Sequence, residues 1–106
     1  MTEVIGHVSA KASTGAYVSA VLVPVPPQIK NLLVHIVEKN VNAVKFKILG
    51  TSRDGGKQET LKAETTIAKN GSTYETLTEP WLFIDVQIID SVAPDHGSVD
   101  IDVLGN

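Results

Sequence analysis

The sequence contains no cysteine, one methionine and one tryptophan, and aromatic residues fill only 5% of its 106 positions. Without a thiol there is no disulfide framework, no thiolate metal site and no cysteine nucleophile. A basic excess is missing too: 12 acidic against 9 basic side chains leave a net charge of −3, with both signs interspersed. Nucleic-acid binding draws on clustered Lys and Arg that neutralise phosphates, and no such stripe occurs. The longest apolar run, Ala20 to Val25, is far too short to cross a bilayer and ends in prolines. Glu3 stands where a secretory signal would carry positive charge, and no long apolar stretch follows it. The chain is therefore expected to be made and folded in a cytoplasm, with neither membrane nor nucleic acid among its partners.

What remains is ordinary globular material. Hydrophobic residues make up 42% and charged residues 20%, which is too apolar for disorder. A chain of this length is expected to form one domain over 1–106. Folding at this size removes roughly 65% of the unfolded surface from water, enough for stability without covalent staples. Residues 1–15, rich in Ser, Ala, Thr and Gly, read as the least structured part and as an N-terminal arm.

Beyond them the hydrophobicity alternates with a period of two, the mark of antiparallel strands, and turn residues punctuate it. Ala16 to Val23 reads as a nearly continuous apolar strand, stopped by Pro24, Pro26 and Pro27. Ile29 to Glu38 carries apolar residues on both faces, as a central strand does. Ala43 to Leu49 places Val44, Phe46 and Ile48 inward and Lys45 and Lys47 outward. Asp54-Gly55-Gly56 is the strongest turn signal, because a tight hairpin requires positive φ at its centre. Gln58 to Ile67 returns from it, and Asn70-Gly71 reads as a second hairpin into Thr73 to Leu77. Trp81 to Ile89 is the most hydrophobic strand, with Leu82, Ile84, Val86 and Ile88 on one face and Trp81, Phe83, Asp85, Gln87 and Ile89 on the other. The last strand alternates Val99, Ile101 and Val103 with Ser98, Asp100 and Asp102. Helical periodicity survives nowhere over three turns. Seven to eight short strands predict an all-β antiparallel sandwich of jelly-roll type, since each sheet must cover its apolar face with another.

No constellation carries catalytic chemistry. His7, His35 and His96 lack the i, i+2 or i, i+4 spacing that aims two imidazoles at one metal. His35, in the middle of an apolar strand, reads as a core or interface residue. Asp95, His96 and Ser98 hold triad residue types, but within one turn the chain can hardly aim them at each other, and no nucleophile elbow is present. Asp100 and Asp102 share a strand face, and Asp85 and Asp90 lie on the neighbouring stretch. Clustered oxygens suit Ca²⁺, but alternating charge on an exposed strand is the commoner use and discourages aggregation. No catalytic residue, metal ligand or cofactor is assigned.

Two features point to contact as the mode of action. Trp81 beside Asp85 and Gln87 has the composition of a ligand platform on which a surface glycan stacks. Secondly, Ala16 to Val25 and Trp81 to Ile89 have two apolar faces, whereas a small sandwich buries only the inner one. The surplus is expected to be covered by the N-terminal arm or by another subunit, with Tyr17, Val21, Val23, Trp81, Phe83 and Ile89 as the interface residues. A homo-oligomer follows, with a trimer favoured.

The stretch Asn42-Ala43-Val44-Lys45-Phe46-Lys47-Ile48-Leu49-Gly50-Thr51 with Asp54-Gly55-Gly56 resembles small structural proteins of tailed bacteriophages and prophages. So does Trp81-Leu82-Phe83-Ile84-Asp85-Val86-Gln87-Ile88 with Asp90-Ser91-Val92-Ala93 and His96-Gly97. The group includes head-decoration and minor tail proteins, and the likeness spans the C-terminal two-thirds of the chain through strand-and-turn patterns. It implies a non-enzymatic virion protein that docks on a capsid or tail shell. The first stretch also resembles sugar-binding β-sandwich modules, the alternative function.

Overall fold

A computed structural model describes residues 3–11, 16–39, 44–52, 56–68, 71–78, 81–90 and 98–106. Eight strands occur among them: β1 (Glu3–Lys11), β2 (Val18–Pro24), β3 (Leu32–Glu38), β4 (Val44–Ser52), β5 (Gln58–Ile67), β6 (Ser72–Leu77), β7 (Trp81–Asp90) and β8 (Ser98–Gly105). They form two four-stranded sheets, ordered β1-β8-β3-β6 (sheet A) and β2-β7-β4-β5 (sheet B), with every pair antiparallel. This is the expected all-β sandwich, and its strand order is that of a jelly roll.

The topology follows from nested pairing. β4 pairs with β5, β3 with β6, β2 with β7 and β1 with β8, so the chain is one long hairpin rolled onto itself. Additional β3–β8 and β4–β7 ladders complete the sheets. Only β4 and β5 are joined within a sheet, around the tip at Asp54-Gly55-Gly56. Asp54 and Gly55 lie outside the described residues, and Gly56 takes φ 65°, the conformation glycine tolerates best. The Asn70-Gly71 signal is different. β5 belongs to sheet B and β6 to sheet A, so this turn crosses between the sheets and closes no hairpin. Gly71 N–H donates to Ala68 C=O (2.9 Å) and its own C=O accepts from Glu38 N–H (2.8 Å), which fastens the crossing to the end of β3.

Alternation places the core. Val34 and Ile36 of β3, Val44, Phe46 and Ile48 of β4, Ile84, Val86 and Ile88 of β7, and Val99, Ile101 and Val103 of β8 are all wholly buried between the sheets. As expected for a central strand, β3 buries Leu32, Val34 and Ile36 and leaves Leu33, His35 and Val37 half-buried on its outer face. Burial of these aliphatic side chains, worth roughly 1.5–3 kcal/mol each, is the main force holding the sheets together.

The expected N-terminal arm is a strand over Glu3–Lys11. β1 lies at the edge of sheet A, paired with β8, and Ile5, Val8 and Ala10 pack against the core. An edge strand needs only one apolar stripe, so the low hydrophobicity of this segment concealed its alternation. Its bulge at Ile5, between Val4 and Gly6, brings Gly6 beneath Val23, where a Cβ would come within 2.7 Å of Cγ2. Glycine is required there to let the two sheets close.

Candidate functional site

The outer faces of the two sheets are the surfaces available for contact. In sheet B the ladders set rows across the face: Pro24, Phe83 and Thr51; Leu22, Asp85 and Leu49; Ser19, Gln87 and Lys47. Leu22 is 59% exposed, while Phe83, Leu49 and Ile89 are half-buried. Leu82, the residue that the β4–β7 register skips, is 40% exposed.

Two bulges decide which side chains reach this face. The β2–β7 register skips Ala20, passing from Ser19↔Gln87 to Val21↔Val86. Up to Ser19 the odd-numbered residues of β2 face outward, and beyond the bulge they face inward. Val21 therefore packs against the core and Val23 is only 1% exposed, while Leu22 takes the outer position. The β4–β7 register skips Leu82, passing from Thr51↔Phe83 to Ser52↔Trp81. Trp81 turns inward, 6% exposed, with its ring over Gly50. Of the six residues expected at an interface, then, Val23 and Trp81 are core, Val21 packs on the core, and Tyr17, Phe83 and Ile89 remain at the surface. Leu22 and Leu82 are the surface hydrophobics that period-two reasoning assigned wrongly or passed over. A bulge reverses every later side chain, and nothing in the local sequence marks it.

The polar residues of this face serve each other. Ser19 Oγ donates to Asp85 Oδ1 (2.5 Å) and Gln87 Nε2 donates to Asp85 Oδ2 (2.9 Å). With Trp81 buried and both oxygens of Asp85 engaged, the expected platform of Trp81, Asp85 and Gln87 has no ring on which a sugar can stack. Toward the other end of the face, the Tyr17 hydroxyl donates to Glu64 of β5, and Lys47 Nζ sits 4.3 Å from the centre of the Tyr17 ring. Lys45 Nζ lies 3.6 Å from Glu64. Burial, followed by the bond and charge of Glu64, pushes the Tyr17 phenol well above its ordinary range, and the Tyr17 bond holds Glu64 below the usual carboxylate value. Tyr17 thus lies across the sheet as a fixed strap.

The outer face of sheet A is built differently. His7, Asp102, His35 and Tyr74 form one row across β1, β8, β3 and β6. His7 Nδ1 is 2.5 Å from Asp102 Oδ1, and His35 stacks on Tyr74 with ring centres 4.2 Å apart and parallel planes. The adjacent row holds Ser9, which donates to Asp100 (2.5 Å), and Lys39 Nζ bridges to Asp100 at 2.5 Å. The Lys39 bond, then the Ser9 bond, lower the Asp100 pKa. Asp85 lies on sheet B, away from Asp100 and Asp102, and the Asp90 side chain lies outside the described residues. Among the described residues no group of three or more His, Asp or Glu side chains is placed to hold a metal. Asp95 and His96 lie outside the described residues, as does the Ser98 side chain.

An apolar groove of about 400 Å³ indents the end of sheet A, lined by Leu33, Leu77, Leu104 and Thr76, with Asn31 and Asn106 at its rim. The backbone of Asn106 bonds to Lys30 and Asn31, tying the end of the chain to the segment before β3.

The class this architecture defines is the two-sheet jelly roll, and solved structures share it. The crystal structure of PirA superposes with a TM-score of 0.63 at 11% identity, covering 96% of this chain and 92% of that one. The VP2 subviral particle of infectious bursal disease virus matches with a TM-score of 0.54 at 14% identity, over 99% of this chain. The T13 particle of the same virus gives a TM-score of 0.53 at 12% identity, over 98% of this chain. This chain spans 31% of each of those two viral chains. At such identities the likeness is one of fold. No protein family and no curated protein matches the chain by sequence.

Proposed function

We propose that this protein is a non-enzymatic structural component of a virus particle, made in the host cytoplasm, which decorates and stabilises a shell. The observation that carries the reading is the exposed apolar end of sheet B: Leu22, Leu49 and Phe83 on a face whose opposite side already fills the core. A small soluble sandwich does not gain stability by presenting these groups to water, whereas a contact gains roughly 25 cal/mol for each Å² of apolar surface covered. The jelly roll shared with the VP2 chain of a viral particle supports the particle assignment. Leu22 and Phe83 act as anchors, Asp85 lies between Leu22 and Leu49 with its oxygens already held by Ser19 and Gln87, the Tyr17 strap stands toward the other end of the face, and self-association supplies repeated contacts.

The test is co-sedimentation with assembled capsids or tails from a host that carries the gene. Wild-type protein is expected in the particle fraction, and Leu22→Asp with Phe83→Ser is expected in the supernatant with an unchanged thermal midpoint. Equal particle binding by the double variant, or no binding by the wild type to heads or tails, refutes the proposal.

A further inference from the structure

The sandwich has four edge strands, and they are not equally protected. β1 carries a bulge at Ile5, β2 carries one at Ala20 and ends in Pro24, and β5 has extra residues at two places along its ladder with β4. Bulges and prolines spoil an edge as a template for further strands. β6 has neither. From Ser72 to Leu77 it pairs one-to-one with β3, without a register shift.

We propose that β6 is a pairing edge that receives the β6 of a second copy of this chain, antiparallel, with Tyr74 on the two-fold axis. The hydrogen bond from Glu38 N–H to Gly71 C=O sets the phase. In an antiparallel ladder, bonded and non-bonded residue pairs alternate. Along the register from Val37↔Ser72 to Leu32↔Leu77, the peptide groups of Thr73, Glu75 and Leu77 therefore face β3. Those of Ser72, Tyr74 and Thr76 face away from the sheet. A two-fold axis at Tyr74 opposes Tyr74 to its counterpart and Ser72 to Thr76 of the second copy. All the outward-facing peptide groups of β6 are then used, in about six hydrogen bonds. Moving the axis to Glu75 uses fewer of them and sets two carboxylates directly opposite, which is destabilising.

The side chains agree with the Tyr74 register. Tyr74 is 60% exposed and already aligned by its stack on His35, so two rings meet at the axis at little entropic cost. Glu75 is the only charged residue of β6, and Lys62 Nζ holds its carboxylate at 3.2 Å within the same chain. The edge that a second copy meets is therefore neutral. The resulting sheet runs unbroken through both copies and leaves the outer face of sheet B free, so this contact is independent of the shell-docking face. A shell needs both kinds: one contact that pairs subunits and one that attaches them.

The absence of cysteine makes the register directly readable. Cα atoms of a bonded antiparallel pair lie about 5.5 Å apart, within the span of a disulfide. Tyr74→Cys is expected to oxidise to a covalent dimer under native conditions, Thr76→Cys alone to stay a single chain, and Ser72→Cys with Thr76→Cys to cross-link again. Light scattering of the wild type should give a two-chain mass, or a multiple, that Tyr74→Lys reduces to one chain while the far-UV circular dichroism of the folded sheets is retained. Should Tyr74→Lys fail to fold, Thr76→Lys tests the same edge. Leu22→Asp should leave the cross-link intact, which separates this contact from docking. The proposal is overturned if Tyr74→Cys does not cross-link, if Thr76→Cys alone cross-links as readily, or if the native mass is one chain.

Discussion

Gly50 lies on β4 where a side chain would point into the core, and the Trp81 ring occupies the space its missing Cβ leaves. A Cβ at this position would stand 2.6 Å from Leu61 Cδ1, 2.9 Å from Trp81 Cε3 and 3.0 Å from Trp81 Cδ2. Leu61 Cδ1 is the end of a flexible side chain and can yield, but the indole is planar and held at the bulge of β7. Gly50→Ala should therefore displace the ring toward solvent. Forcing a methyl group into a closed core costs about 1–3 kcal/mol. The smaller entropy that alanine removes from the unfolded chain offsets roughly 0.4–1 kcal/mol of this. The remaining loss lowers the thermal midpoint by several degrees, at about 4–8 °C per kcal/mol for a domain of this size. Because the chain holds a single tryptophan, its emission reports on this ring alone. Gly50→Ala should shift the emission to longer wavelength together with the loss of stability. Adding Leu61→Ala relieves only the first contact, so the shift should persist. Unchanged emission and midpoint in Gly50→Ala would refute the packing account of why Trp81 is a core residue rather than a surface platform.

Phe46→Ala empties the centre of the core and should cost about 3–5 kcal/mol, read as a lower urea midpoint with an unchanged slope. Asp100 has a folded-state pKa below its ordinary value near 3.8, so its contribution is present above that value and lost as pH falls through the folded pKa. Acid unfolding of Asp100→Asn followed by tryptophan emission should accordingly show a flatter dependence on pH below the ordinary aspartate range, with little change near neutrality beyond the lost Lys39 and Ser9 bonds. Lys62 and Glu75, partly exposed, tie β5 to β6 across the sandwich. A double-mutant cycle with alanine should give a coupling of about 0.2–1 kcal/mol that falls as salt is raised.

The strands were legible because period-two alternation is written directly into β3, β4, β7 and β8, whose inner residues are mostly aliphatic or Phe. β5 could be bounded at Gln58 and Ile67 for the same reason, with turn residues on either side. What alternation cannot show is where it changes phase. The bulges at Ala20 and Leu82 are set by how β2 and β7 fit their neighbours, and they moved Val21, Val23 and Trp81 inward and Leu22 outward. Asn70-Gly71 announces a chain reversal, but it does not say which sheet the next strand joins; that is decided by the pairing of β6 with β3. Likewise the row of His7, Asp102, His35 and Tyr74 joins residues far apart in the chain, and only the registers of three ladders bring them together.

The nesting of the strand pairs has a kinetic consequence. Among the described residues β4–β5 is the one ladder whose strands are consecutive in sequence, so this hairpin forms without first closing a long loop. Once it exists, β3 and β6 have a shorter effective loop to close, and the same holds in turn for β2 with β7 and for β1 with β8. Folding should then run outward from the Asp54-Gly55-Gly56 tip, in milliseconds to seconds as for other sandwiches dominated by distant contacts. Substitutions near the tip should slow folding. Substitutions in β1 or β8 should chiefly hasten unfolding, because those strands join after the barrier has been crossed.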